Sequence, residues 1–226
     1  MKILVIAAHP DDEIYGMGGT IAKLNQQKNE IYTLIITEGC SSQYKGKAEI
    51  IDQKKEEART ANHILGVKEV FFGDLPDMKL DTIEHTKINH IIEKTIEKIQ
   101  PDIVYTHHRG DVNKDHRMVY ESTMVAVRPV SSQCVKKVLC YDVPSSTEWN
   151  AQEPETIFIP NVFEEIEKVY NLKKQAIIAY QTEIREYPHP RSLEYVNILD
   201  QATGLKVGLK RTEAFQLIRE NRGESI

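Results

Sequence analysis

The sequence predicts an α/β fold: a mainly parallel sheet with helices on both faces and a C-terminal elaboration. Two observations carry that prediction. The opening strand, Lys2–Ala8 (KILVIAA), is a continuous apolar run, the mark of a strand covered on both faces. Strand-like runs then alternate with amphipathic stretches of roughly 10–15 residues, the rhythm of βαβ crossovers.

Taken in order, Gly18–Gln27 carries apolar residues at helical spacing, and Ile31–Thr37 (IYTLIIT) reads as a second buried strand. Ile50–Leu65 is a long amphipathic helix, stopped by Gly66 in the position of a C-cap glycine. Val67–Phe72 is a third strand, and His85–Ile99 a third helix that ends before Pro101. Asp102–Thr106 is a fourth strand, followed by a helix over Arg117–Val127. After Pro129 the pattern loosens. Lys137–Tyr141 and Thr156–Ile159 read as short strands, Val162–Arg185 as one long helix, and Glu186–Leu193 as a proline-punctuated loop. With no repeat, low-complexity tract or linker, residues 1–226 are expected to form one domain.

The 226 residues are 40% hydrophobic and 28% charged, as in an ordinary soluble protein. A net charge of −5 and a pI near 5.9 argue against nucleic-acid binding, which needs a basic face. Cys40, Cys134 and Cys140 form no CxxC pair, so neither a disulfide framework nor a thiolate zinc site is expected. The expectation is a cytoplasmic protein with no signal peptide and no membrane insertion, with self-association left open.

In open α/β sheets, ligands bind beyond the carboxyl ends of the strands. The loops there concentrate ionisable groups: His9, Asp11, Asp12 and Glu13 after the first strand, Glu38 and Cys40 after the second, and Asp74 and Asp77 after the third. The fourth loop adds His107, His108, Asp111, Asn113, Asp115 and His116. A dinucleotide site would need glycines directly after the first strand, where this chain has HPDDE instead. A metal site fits better. Imidazole with carboxylate is a common ligand set for catalytic zinc, and a further carboxylate suits a general base. Glu13 alone reads equally well as a carboxylate complementing a helix N-terminus.

AHPDDE (closing at Glu13) followed by GGT, EEARTANHILGV at 56–67, DVNKDHR at 111–117 and EAF at 213–215 together resemble the LmbE-like or PIG-L family of zinc-dependent N-acetyl-sugar deacetylases. The resemblance runs along most of the chain. It implies a Rossmann-like fold, a bound Zn2+ or another divalent transition metal, His9, Asp12 and His116 as its ligands, and Asp11 as general base. The implied substrate is a small N-acetylated, glucosamine-like sugar or its conjugate. A non-sugar N-acyl amidase and a non-catalytic binding protein are the alternatives.

The chain departs from the family where many members have HxDH, because it has Asn113-Lys114-Asp115-His116. An amide can donate a hydrogen bond to an oxyanion but cannot deliver a proton at neutral pH. Asn113 and Asp115 are therefore candidates for transition-state stabilisation and ligand orientation, while Asp11, His107, His108 or His189 would supply the proton. Arg191 is a candidate clamp for an anionic substrate group, and Trp149 a candidate stacking face for a sugar ring. His63 and His90 read as ordinary helix-face residues, and the Lys54–Lys55 pair as solvated helix surface.

Overall fold

The computed structural model describes residues 1–40, 48–130 and 133–223. Strand β1 (Lys2–Ala7) is followed by α1 (Asp12–Gln26), β2 (Glu30–Thr37), α2 (Ala48–Ile64) and β3 (Glu69–Leu75). Then come α3 (His85–Ile99), β4 (Ile103–His107), α4 (Lys114–Ala126) and β5 (Lys137–Tyr141). The C-terminal region adds β6 (Val162–Glu165), α5 (Tyr170–Ala179), α6 (Leu193–Leu205) and β7 (Thr212–Glu220).

Among the described residues the strands form one sheet in the order β3-β2-β1-β4-β5-β7-β6. The first five are parallel, whereas β7 runs antiparallel to both β5 and β6. Successive side chains of β1 serve opposite cores, which is why it reads as unbroken apolar sequence. Ile3, Val5 and Ala7 join the layer that holds α1, α2 and α5, while Leu4 and Ile6 join that of α3 and α4. Burying each of the larger side chains contributes about 1.5–3 kcal/mol.

The chain leaves β1 for β2 and β3 on one side, then returns to β4 on the other. This reversal separates the loops after β1 and β4 and opens a crevice between them. The same pairing makes β1 and β4 immediate neighbours, with Ile3 opposite Ile103.

Several local expectations meet a different outcome. Helix α1 starts at Asp12 rather than Gly18, but it is broken at Met17 (φ −153°, ψ 23°). The helical spacing read from Gly18 onward therefore marks the segment after the break. The carboxylate of Glu213 on β7 accepts the N–H groups of Gly19 (2.8 Å) and Thr20 (2.6 Å), as a cap does for a new helix start. Glu213 and Asp200 of α6 in turn hold the buried ammonium of Lys173 on α5, both at 2.8 Å. At the far end of α2, Gly66 does adopt a left-handed φ of 82°, and the Val67 N–H bonds back to Asn62 O at 3.0 Å, closing the helix.

Val162–Arg185 is not one helix. It divides into β6, a short 3-10 turn (Glu167–Val169) and α5. The apolar residues Val162, Phe163 and Ile166 satisfy helical and extended spacing alike over so short a run, and pairing with β7 decides the outcome. Thr156–Ile159 lies outside any strand, because the N–H groups of Thr156 and Ile157 close a turn on Glu153 O and Thr156 O is taken by His108. No described helix is long and apolar enough to cross a membrane.

Candidate active site and metal centre

The β1 and β4 loops bring His9, Asp12 and His116 together. Nδ1 of His9 lies 3.2 Å from Oδ2 of Asp12 and 3.1 Å from Nε2 of His116, which is itself 3.3 Å from Oδ2 of Asp12. The outer nitrogens of both rings face carboxylates. Nδ1 of His116 is 3.0 Å from Asp111, and Nε2 of His9 is 3.3 Å from Asp115 and 3.4 Å from Asp77. Carboxylates on the outer nitrogens fix the ring protons there and turn the inner lone pairs toward each other and toward Asp12, whose other oxygen Oδ1 is buried without a partner. Two imidazole lone pairs and a carboxylate converging within contact distance repel unless a cation or protons lie among them. The donor set fits a divalent metal ion.

The electrostatics agree. Burial opposes charge on His9 and His116, yet the surrounding carboxylates raise His9 well above the usual imidazole range and push His116 up to about 9. Burial would raise the carboxyl of Asp12, but the charge and hydrogen bonds of His116, joined by those of His9, hold it well below its ordinary value. The centre thus favours positive charge. His107 lies outside this set. Its ring stacks on His116 with centroids 4.0 Å apart, its Nε2 accepts the Ala8 N–H at 2.8 Å, and burial followed by the charge of His116 pushes its pKa well down.

Asp11 stands beside the three. Its backbone has φ 114°, a conformation that costs a non-glycine residue about 1–3 kcal/mol and persists only where the surroundings enforce it. Its carbonyl accepts the N–H groups of Ile14 and Tyr15, each at 3.0 Å, and so starts α1. Burial raises its carboxyl well above the usual range, against the lowering effect of Arg191, whose Nη1 is 3.1 Å away. That guanidinium also pairs with Glu183 at 2.7 Å, and its Nε donates to Ser145 at 3.0 Å. Arg191 is thus engaged by carboxylates of the protein itself, which is not how a clamp awaiting an anion is arranged.

Glu13 lies in the first turn of α1, as a carboxylate complementing a helix N-terminus would, but it is not at the surface. It is fully buried, with burial raising it to about 7 against hydrogen bonds from Tyr180 and Asn62. Lys54, expected on the surface, is buried and pairs with Glu183 at 2.5 Å. His63 and His90 are exposed, as expected of a helix surface.

The remaining candidates fall into two groups. Asp115 is committed to structure: it accepts the N–H groups of Met78 (2.7 Å) and Leu80 (3.0 Å) while facing His9. Asn113 caps α4 through its side-chain oxygen, which accepts the Asp115 N–H at 2.9 Å. Its amide nitrogen faces Met78 at the edge of a small pocket of about 70 Å³ that also touches His9, Asp11 and Arg191. His189 accepts the Arg191 N–H at 3.0 Å and meets the Trp149 ring edge-on at 6.4 Å. Trp149 is 59% exposed. Arg191, His189 and Trp149 thus form one chain of contacts, of which Arg191 lines the small pocket, although nothing in their spacing said so. His108 points elsewhere, to Thr156 O at 2.9 Å.

Some residues of this site gave no local signal. Ser146 and Thr147 donate to the Asp111 carboxylate, Thr147 at 2.7 Å, and help burial-opposed Asp111 stay far below the ordinary carboxylate range beside His116. Glu183, Tyr180 and Asn62 read in sequence as unremarked polar positions within helix-like stretches. A larger cavity of about 360 Å³ lies between Tyr15, Asp142, Thr147 and the α6–β7 region, and it contains none of the candidate metal ligands.

Residues 4–127 match the family model described as PIG-L, GlcNAc-PI de-N-acetylase, a span running from β1 through α4 and including both metal-facing loops. The chain belongs to the PIG-L family. Within reach of this PIG-L chain is the uncharacterized deacetylase YaiS of Escherichia coli K12, 33% identical over 184 residues, covering 78% of this chain and 88% of YaiS. A diacetylchitobiose deacetylase of Thermococcus kodakarensis is 26% identical over 196 residues, 82% of this chain and 71% of that protein. Among solved structures, the N,N'-diacetylchitobiose deacetylase of Pyrococcus horikoshii superposes with a TM-score of 0.77 at 20% identity, covering 96% of this chain and 84% of that one. That last likeness fixes the fold, not the reaction.

Proposed function

We propose that this PIG-L chain is a metal-dependent hydrolase that removes the acetyl group from an N-acetylamino sugar or its conjugate, giving acetate and a free amine. The observation that carries the reading is the convergence of His9, Asp12 and His116 at the crevice beside β1, with Asp11 adjacent and outside the donor set. The first three would hold the ion, and an N2O set with outward-fixed ring protons suits zinc, though other divalent transition metals accept the same donors. When bound, such an ion supplies Lewis acidity, polarising an amide carbonyl and drawing the pKa of a water down towards about 7.

The chain's own residues do the rest. Asp11 takes a proton from the attacking water and returns it to the amide nitrogen as the C–N bond breaks, so that one carboxyl serves as base and then acid. Burial, opposed by Arg191, raises its carboxyl, which favours its holding the proton it goes on to return. Arg191 fixes the direction in which the carboxylate points. The Asn113 amide, at the pocket edge, donates to the carbonyl oxygen as negative charge develops there. Asp115 and Asp111 orient His9 and His116 without touching substrate. The small pocket admits the acetamide, and the sugar lies above it against Trp149 and His189.

Replacing Asp11 with Asn tests the assignment. Metal content per chain should be unchanged while turnover falls by about 10²–10⁴-fold. An Asp11→Asn protein as active as its parent would overturn the assignment of Asp11.

A further inference from the structure

The Glu of the HPDDE corner has no part in the chemistry above, yet its carboxylate is among the most heavily engaged in the molecule. Oε2 of Glu13 reaches back to accept the N–H of Asp11 at 3.2 Å. Oε1 accepts the Tyr180 hydroxyl at 2.6 Å and the Asn62 side-chain amide at 2.7 Å. Asn62 is itself locked, because its oxygen accepts the Thr33 hydroxyl at 2.8 Å and its nitrogen also donates to Ala58 O at 2.9 Å.

We propose that Glu13 is a positioning residue for Asp11, holding the Asp11 peptide in its left-handed conformation through a carboxylate braced by α2 and by the residue that follows α5. The proposal rests on the reading of Asp11 as the proton-transfer group.

Arg191 fixes the tip of the Asp11 side chain, but a tip contact does not hold a backbone at φ 114°. The Asp11 carbonyl is held by the start of α1. Its N–H is the remaining handle, and the buried oxygen of Glu13 holds it. In a capping box, a Glu at the third helical position reaches back to the N-cap N–H. Here a Glu at the second position does so, one residue earlier, with the N-cap in the left-handed region. The other carboxylate oxygen cannot swing free without breaking two further bonds to separate elements. One of those, Tyr180, lies beyond the 4–127 span of the family model, so the C-terminal region steadies the corner from which Asp11 acts.

The test compares Glu13→Gln with Tyr180→Phe in the full chain. An amide at position 13 can satisfy the Asp11 N–H or the pair of donors on its far side, but not both. In Glu13→Gln, kcat should fall by about ten- to a hundredfold, the scale on which small misplacements of a reacting group act. KM and zinc affinity, read by competition with a chromogenic chelator, should stay within about twofold, since the metal-facing side chains keep their carboxylate partners. Exchange of the Asp11 amide with deuterium should speed up by about tenfold or more while amides of β1 keep their rates. Tyr180→Phe should show the same pattern at about three- to tenfold in kcat, and it decides the question if Glu13→Gln does not fold. Unchanged kcat in a folded variant, or zinc affinity falling in step with kcat, overturns the proposal. Should the parent release amine from no substrate, the deacetylase reading fails, and the exchange rate of the Asp11 amide still upholds or overturns the role of Glu13.

Discussion

From β1 to α4 every strand lies parallel to its neighbours and every helix crosses back over the sheet, whereas beyond β5 the short β6 and the long β7 run antiparallel, and β7 holds α1 through Glu213. The first region carries the residues that face the candidate metal position, His9, Asp12 and His116, and Asp111 behind His116. The second carries Tyr180, Glu183 and Arg191, which hold the corner of Asp11 and Glu13, with His189 and Trp149 beyond Arg191. The family model covers the first region and stops at residue 127. The two halves thus divide the labour: the parallel half gathers the candidate metal-facing groups, and the antiparallel half braces the corner beside them.

Substitutions sort along that division. The largest effect is expected from His116→Ala, which removes a ring whose two nitrogens face Asp12 and Asp111. Metal per chain, read by elemental analysis, should fall from about one to near zero, and turnover with it. Next is Asp111→Asn, which keeps the shape but weakens the grip on the outer nitrogen of His116. Zinc affinity should drop by about 10–100-fold in a chelator competition. Either protein binding metal as its parent does would break the comparison at its first-half end.

The first half was also the more legible. Continuous apolar strands and helices of ordinary length repeat a pattern that local spacing reveals, and HPDDE at a strand end is a dense local signal. What the residues alone left open was convergence. That the loops after β1 and β4 meet depends on strand order, which becomes visible only once β4 is seen beside β1. The second half withheld more. β6 is four residues long and extended only because β7 lies beside it, so its nearest neighbours in sequence suggested a helix. Tyr180 and Glu183 sat inside that same misread stretch. Arg191, His189 and Trp149 stood out by residue type, but their meeting joins two segments that β6 and α5 separate in the chain.

Smaller effects should mark the second half. Trp149→Ala removes an exposed face worth about 0.5–1.5 kcal/mol of contact, so KM should rise by roughly two- to tenfold with kcat nearly unchanged. A fall in kcat with constant KM would move Trp149 from sugar contact into the chemistry. The smallest effect concerns Asp142, beside the larger cavity, whose carboxyl burial raises to about 6, with Glu148 and Glu213 adding to the rise. A carboxyl whose folded pKa lies above its unfolded value favours the fold only while protonated. That contribution is complete below about pH 4 and lost as pH climbs through about 6. Asp142→Asn should therefore raise the melting temperature relative to the parent at pH 8 by more than it does at pH 4. An equal shift at both values would show that the charge on Asp142 carries no penalty.

The most direct test of the whole account is amine release from a panel of N-acetylamino sugars, free and nucleotide-linked. It should be measured on zinc-loaded protein, on chelator-stripped protein and on zinc-loaded Asp11→Asn. The account predicts release from at least one sugar by the loaded parent, its loss on stripping, its return when zinc is restored, and its absence from an Asp11→Asn protein that still holds the metal. Release that survives stripping, or proceeds at the parent's rate without the Asp11 carboxylate, would contradict it.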